Sequence, residues 1–167
     1  MHDELTKVDI QKMQEEIDYR KNVLGPKLRA EVGAARELGD LSENYEYHAA
    51  KRELGKNNGR IRYLENMIKT AKVIETGSAD GVVGLFDKVT VYIEEDGEDM
   101  TFTLVTTLRQ NSLKGLISKE SPLGKAVIGR KVGERVAVEV NPTYTYYVVI
   151  KSTEKGEDDA SLDISKY

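Results

Sequence analysis

Tyr47, Ala50, Leu54, Asn57, Ile61, Leu64, Ile68 and Ala71 recur at alternating intervals of three and four residues. That spacing lines them along one stripe of a helix, the a/d seam of a coiled coil. A matching stripe precedes it in Ile10, Met13, Ile17, Leu24, Leu28, Val32 and Ala35, with Arg20 at one weak seam position. Gly25-Pro26 interrupts this earlier helix, and because proline removes a backbone hydrogen bond, a kink is expected there. Asn57, a polar residue on the seam, is expected to fix helix register at some cost in stability.

Gly39-Asp40-Leu41-Ser42-Glu43-Asn44 separates the two stripes and is short enough to join antiparallel neighbours directly. The expectation is a helical hairpin over residues 1–75 with arms of about 28 residues, which at about 1.5 Å per residue extend roughly 40 Å. Residues 1–75 carry as many acidic as basic side chains, as the solvated faces of long helices do.

After Lys72 the helical period gives way to alternation. Thr76-Gly77-Ser78-Ala79-Asp80-Gly81 has the small, flexible residues of a linker. Lys88–Ile93 and Met100–Val105 flank a turn at Asp96-Gly97 and read as a β-hairpin. Arg135–Val140 and Tyr144–Ile150 form a second strand pair around Asn141-Pro142. Between the pairs, Ser121-Pro122 supplies the N-cap and first residue of a short helix ending at Gly129. Residues 82–153 are thus expected to form a small α+β domain. From Glu154 the chain turns to Lys-Gly-Glu-Asp-Asp-Ala-Ser, and a mobile acidic tail is expected over residues 154–167.

The chain has no cysteine, which excludes disulfides, a thiolate nucleophile and a zinc ribbon. Its two histidines, His2 and His48, lie far apart, which argues against a histidine metal centre or a Ser-His-Asp triad. No apolar run approaches the roughly 20 residues of a membrane span, and the N-terminus lacks a signal-peptide pattern. A cytoplasmic protein is expected. The net charge of −4 gives no reason to expect duplex nucleic acid binding from electrostatics.

Several charged residues cluster at the connector. Asp40 and Glu43, three residues apart, have the spacing of a capping box, in which both carboxylates satisfy the first amides of the returning helix. Spacing alone favours that reading, although a carboxylate accepting one amide keeps free lone pairs for another task. Arg36, Lys51 and Arg52 are, on composition alone, a solvated helix surface. Tyr45 and Tyr47 could stack on a base, but Tyr47 fits the seam and is expected to pack there.

Three separated segments nevertheless resemble one family. Ala34-Ala35-Arg36-Glu37-Leu38-Gly39-Asp40-Leu41-Ser42-Glu43-Asn44-Tyr45-Glu46-Tyr47-His48-Ala49-Ala50-Lys51 is similar to the hairpin tip of the Gre transcript-cleavage (transcription elongation) factors. Gly59-Arg60-Ile61 with Leu64-Glu65 matches the returning helix. Ile117-Ser118-Lys119-Glu120-Ser121-Pro122-Leu123-Gly124-Lys125-Ala126, followed by Gly129 and Lys131-Val132-Gly133-Glu134, is similar to the C-terminal domain.

The resemblance implies an antiparallel coiled-coil hairpin followed by an FKBP-like α+β domain. It further implies a factor that binds bacterial RNA polymerase through its secondary channel and stimulates the polymerase's own cleavage of backtracked nascent RNA. The factor is then not itself an enzyme and has neither a membrane partner nor a small-molecule substrate. Asp40 and Glu43 would be the acidic pair that completes catalysis. They would share Mg2+ with the polymerase active site only within that centre, and the free protein would hold no cofactor stably. Arg36, Lys51 and Arg52 would contact RNA near its 3′ end, and Glu120, Ser121 and Pro122 would dock on the polymerase.

Alternatives are a channel-binding regulator or inhibitor that does not stimulate cleavage, and a prolyl isomerase. The last needs an aromatic-lined cleft, whereas the chain has no tryptophan and only Phe86 and Phe102 as phenylalanines. Three stretches depart from the family pattern, one of them Asn141-Pro142-Thr143-Tyr144, which stands where a Pro-Gly-Gly-like turn is common. Thr106-Thr107-Leu108-Arg109-Gln110-Asn111 replaces a segment containing glycine and acidic residues, and the tail after Thr153 is additional.

Overall fold

The computed structural model describes residues 4–39, 43–159 and 161–164. Their order is β1 (Glu4–Leu5), α1 (Lys7–Tyr19), a π-helical turn (Arg20–Leu24), α2 (Gly25–Arg36), α3 (Tyr45–Thr70), β2 (Lys72–Val73), β3 (Lys88–Ile93), β4 (Glu98–Val105), β5 (Leu116–Ser118), α4 (Pro122–Val127), β6 (Arg135–Asn141) and β7 (Tyr144–Glu154). The fold is α+β. Two compact units divide the chain, one comprising Ile10–Lys72 and the other Glu4–Asp9 with the residues from Val73 onward. The first strand and the first turn of α1 therefore group with the C-terminal part.

In the helical unit both stripes are inward. Met13, Ile17, Leu28, Val32 and Ala35 are buried on the outgoing arm, as are Tyr47, Asn57, Ile61 and Leu64 on α3. Where a kink was expected, the outgoing helix widens just before Gly25-Pro26. The Gly25 amide reaches back to the Arg20 carbonyl, five residues earlier, and closes the π turn. The wide turn precedes a residue that has no N–H to give. A Cβ on Gly25 would lie 2.8 Å from the Arg20 oxygen, so only glycine fits unstrained.

Polar seam positions pair off around this turn. Arg20 Nη1 donates to Asn57 Oδ1 at 2.9 Å, and Asn57 Nδ2 donates to the Arg20 carbonyl at 3.3 Å. Glu16 accepts from Arg20 Nε at 2.9 Å and from the buried Arg60 at 2.7 and 3.3 Å. Burial alone would push the Glu16 carboxyl upward, but the bonds and charges of Arg60 and Arg20 outweigh it and hold the group below its usual range.

The second unit is a five-stranded sheet in the order β5-β4-β3-β7-β6, antiparallel except for the β4–β5 pair. Val89 and Val91 of β3, Phe102 and Leu104 of β4, Val136 and Val138 of β6, and Val148 and Ile150 of β7 alternate onto one face and form the core with Leu123 and Val127 of α4. The Ser121 hydroxyl caps α4 by accepting from Gly124 N at 3.0 Å, with Pro122 in the first turn, and Gly129 follows at φ +76°. Phe86 and Phe102 are both buried in the core, so neither can line an open cleft.

Two expectations need correction. Strand β5 was not anticipated, because three residues carry too little alternation to be read. In the acidic segment after Glu154, expected to be mobile, residues among 155–159 and 161–164 make specific contacts. Lys155 Nζ pairs with Asp87 Oδ2 at 2.9 Å, Asp158 Oδ1 with Arg109 Nη2 at 3.0 Å, and Leu162 packs beside Leu85, Phe86, Val105 and Leu116. A polar composition predicts mobility only where no buried counter-charge waits, and Arg109, 1% exposed, is such a charge.

Candidate functional site

The hairpin tip is built from the C-terminus of α2 and the N-terminus of α3. The outgoing helix ends at Arg36, the Leu38 amide bonds the Ala35 carbonyl at 3.2 Å, and Gly39 follows at φ +133°. Asp40 lies outside the described residues, as do Leu41 and Ser42.

Asn44 opens the returning helix. Its Oδ1 accepts from Tyr47 N at 3.1 Å, and its Nδ2 donates to the Ala35 carbonyl at 2.6 Å. One side chain thus caps the start of α3 and ties it to the end of α2. The N-cap of α3 is thus Asn44, one residue after Glu43, whereas the capping box that spacing alone favoured for Asp40 and Glu43 falls partly outside the described residues. Glu43 precedes the helix, is exposed, and bonds no described residue. The signal for this was present, since asparagine is a leading N-cap residue and stands just before the periodic stretch.

Tyr47 is 9% exposed and packs with Val32 and Ala35, as its seam position requires. Its ring organises the basic residues. Arg36 Cζ lies 5.6 Å from the ring centroid and Lys51 Nζ lies 5.9 Å from it, so cations from the two helices converge on one aromatic ring. His48 meets the same ring edge-on, with centroids 5.4 Å apart. Arg52 is exposed and does not join this cluster, and Tyr45 is 88% exposed. Two cations gathered on one ring can hold a phosphate backbone.

The second candidate region lies on the sheet unit. Glu120 and Pro122 are exposed and Ser121 is half-buried. Ser118 Oγ accepts from the Glu120 amide at 3.1 Å, and the Ser121 hydroxyl donates to the Ser118 carbonyl at 2.7 Å, which fixes the loop's shape. Lys119 pairs with Glu4 and, at 3.1 Å, with Glu120. Burial pulls the Lys119 ammonium down, but Glu4 and Glu120 more than reverse this and leave it above its ordinary value. Gly124 is required beneath the loop, where a Cβ would stand 2.2 Å from the Ser118 carbonyl.

Among the described residues no group of three or more His, Asp or Glu is placed to hold a metal ion. No helix there is long and apolar enough to cross a membrane.

A charged hairpin with an exposed glutamate at its tip, joined in sequence to a small sheet unit with an exposed, hydrogen-bonded loop, is what two family models of transcription elongation factors match. Residues 4–73 match the family model described as transcription elongation factor, N-terminal, and residues 78–154 match that of transcription elongation factor, GreA/GreB, C-term. The chain belongs to the GreA/GreB family. It is 40% identical over 129 residues to transcription elongation factor GreA of Bacillus subtilis (strain 168), covering 77% of this chain and 82% of that one. To GreA of Thermoanaerobacter pseudethanolicus it is 41% identical over 137 residues, covering 81% and 87%. The crystal structure of GreA factor homolog 1 (Gfh1) of Thermus thermophilus is 24% identical, covers 93% of this chain and 100% of that one, and gives a TM-score of 0.43.

Proposed function

We propose that this chain binds bacterial RNA polymerase, reaches its active centre through the secondary channel with the helical hairpin, and stimulates the polymerase's own cleavage of backtracked nascent RNA in the cytoplasm. The observation that carries the reading is the exposed Glu43 carboxylate at the tip, which bonds no described residue while Asn44 caps the helix. Magnesium prefers oxygen ligands and keeps several waters, so one or two delivered carboxylates suffice to complete a shared site. Bound there, the ion supplies an activated water and a stabilised leaving oxygen.

Each group of the chain then has a task. Asp40 and Glu43 bring negative charge to the cation and orient its water. Arg36 and Lys51, held on the Tyr47 ring, receive the RNA phosphates near the 3′ end, with Arg52 adding charge from the next position. Glu120, Ser121 and Pro122 dock the sheet unit on the polymerase surface. The factor needs no catalytic pocket of its own, because the reacting atoms belong to the polymerase and its RNA.

The test is Glu43→Gln and Asp40→Asn in stalled, backtracked complexes. Both variants should bind polymerase as the unmodified chain does and lose cleavage by at least tenfold, a barrier change of about 1.4 kcal/mol or more. Undiminished cleavage by both variants would refute the tip mechanism. Binding without cleavage by the unmodified chain would make it a channel-binding regulator instead.

A further inference from the structure

Two of the three stretches that depart from the family pattern meet in space. Arg109 belongs to one and Asp158 to the other, and they form a salt bridge of 3.0 Å in which both side chains are nearly inaccessible. Arg109 also donates from Nη1 to the Asp159 carbonyl at 2.9 Å and pairs through Nε with Asp9 Oδ1 at 2.9 Å. Asp158 bonds the Thr6 hydroxyl as well. Upstream, Gly156 passes so close to Phe86 that a Cβ would lie 2.0 Å from the Phe86 carbonyl, and its amide bonds Asp87 Oδ1 at 3.3 Å. Downstream, Leu162 covers the Leu85, Phe86, Val105 and Leu116 cluster. Residues after 154 lie beyond the family match, yet they are seated at three separate points.

The end of this segment forms one wall of a groove. Leu162, Asp163 and Ile164 line it together with Asn111, Leu113, Lys114, Ser118 and Ser121. Leu113 is 99% exposed on its rim, an apolar side chain with no cover among the described residues. Ser121 is one of the residues assigned above to polymerase docking, so the acidic segment and the polymerase approach the same edge of the unit.

We infer that the described residues 155–159 and 161–164 belong to an intramolecular strap that occupies part of the docking surface in the free protein and is displaced when polymerase binds. The inference rests on the docking role proposed for Ser121. On displacement Arg109 keeps Asp9, Asp87 loses Lys155 but keeps the Gly84 amide and the Thr153 hydroxyl, and the acidic strap returns to water. Leu162 is the apolar cost of opening. A strap closed about nine-tenths of the time would weaken apparent affinity by about tenfold.

The absence of native cysteine makes the test direct. Ser161→Cys, at an exposed position, carries a single nitroxide label on the full chain. Its spectrum should be restricted in the free protein and become mobile on addition of polymerase. Asp158→Asn and Leu162→Ser, each in the labelled background, should free the label without polymerase and bind polymerase about tenfold more tightly. A label that stays restricted in the complex, or variants that release it without tighter binding, would overturn the strap. So would loss of the folded sheet unit in both variants, by circular dichroism, since the segment would then be a core element. Failure of the unmodified chain to bind polymerase would instead remove the functional reading, and the competition with it.

Discussion

Arg20 and Asn57 bond each other twice across the helical hairpin, and the Arg20 carbonyl that receives Asn57 Nδ2 is the same one that closes the π turn with the Gly25 amide. The asparagine therefore does more than mark register. It supplies a donor where the widened turn leaves a carbonyl facing the partner helix. Asn57→Ala removes both bonds from a buried position, and at about 1 kcal/mol for each bond, with a further penalty for the exposed arginine contact, a loss of about 2–3 kcal/mol is expected. Urea unfolding of the full chain, followed by helical circular dichroism, would measure it.

Gly25→Ala tests the turn itself. The added methyl would stand 2.8 Å from the Arg20 carbonyl and cannot be relieved by rotating a side chain. In an ordinary helix this substitution stabilises by up to about 1 kcal/mol, whereas here it should destabilise by about 1–3 kcal/mol, the usual cost of overpacking. The sign of the change separates the two cases, and thermal unfolding reads it.

The π turn has a trace in the spacing of the first stripe, although the kink was expected from Gly25-Pro26 alone. From Ile10 to Leu24, with Arg20 included, the intervals alternate between three and four, but Leu24, Leu28 and Val32 are separated by four and four. One extra residue has entered the repeat, and a π turn is the way a helix absorbs it without losing its seam. The long helices, the seam and the four longer strands could be read because each repeats its period over enough residues. Strand β5 could not, because Leu116–Ser118 pairs with β4 through backbone bonds that leave little pattern. The docked tail was hidden for a different reason. Its anchors are pairings far apart in sequence, such as Arg109 with Asp158 at 49 positions and Asp87 with Lys155, and nothing local to either partner announces the other. At the tip, the acid pair and the basic residues were legible as types, but which residue capped the helix depended on a choice between Asp40 and Asn44 that spacing alone did not make.

Tyr47 couples the two helices to the proposed RNA contacts. Because Arg36 and Lys51 both rest on its ring, Tyr47→Phe should be close to neutral, while Tyr47→Leu should release both cations. A double-mutant cycle between Tyr47→Leu and Arg36→Ala should return a coupling of about 0.5–1 kcal/mol in stability. In cleavage assays Arg36→Ala and Lys51→Ala should each reduce the rate, and Tyr47→Leu should reproduce much of that loss although it removes no charge. A Tyr47→Leu variant that cleaves normally would show that the ring is packing alone.

Glu16 sets an acid limit on the hairpin. Burial raises its carboxyl pKa, but the hydrogen bonds and charges of Arg60 and Arg20 win, and the folded value lies below the ordinary 4.5. A group depressed on folding stabilises the native state above its unfolded pKa, and that contribution disappears as pH falls through the folded value. Its window therefore opens near pH 4.5 and extends downward. Glu16→Gln keeps the shape and removes the charge. Near neutrality it should lower stability by about 1–2 kcal/mol, below the figure for a fully buried pair because Glu16 is partly solvated. Between neutrality and pH 5 the deficit should be constant. Below that the unmodified chain should lose stability faster than the variant, and the two curves should converge once Glu16 is protonated in both states. Other carboxylates titrate alike in the two proteins and cancel in the difference, so parallel urea titrations at several pH values isolate Glu16. Curves that stay parallel through the acid range would mean that Arg60 and Arg20 do not hold this carboxylate in solution.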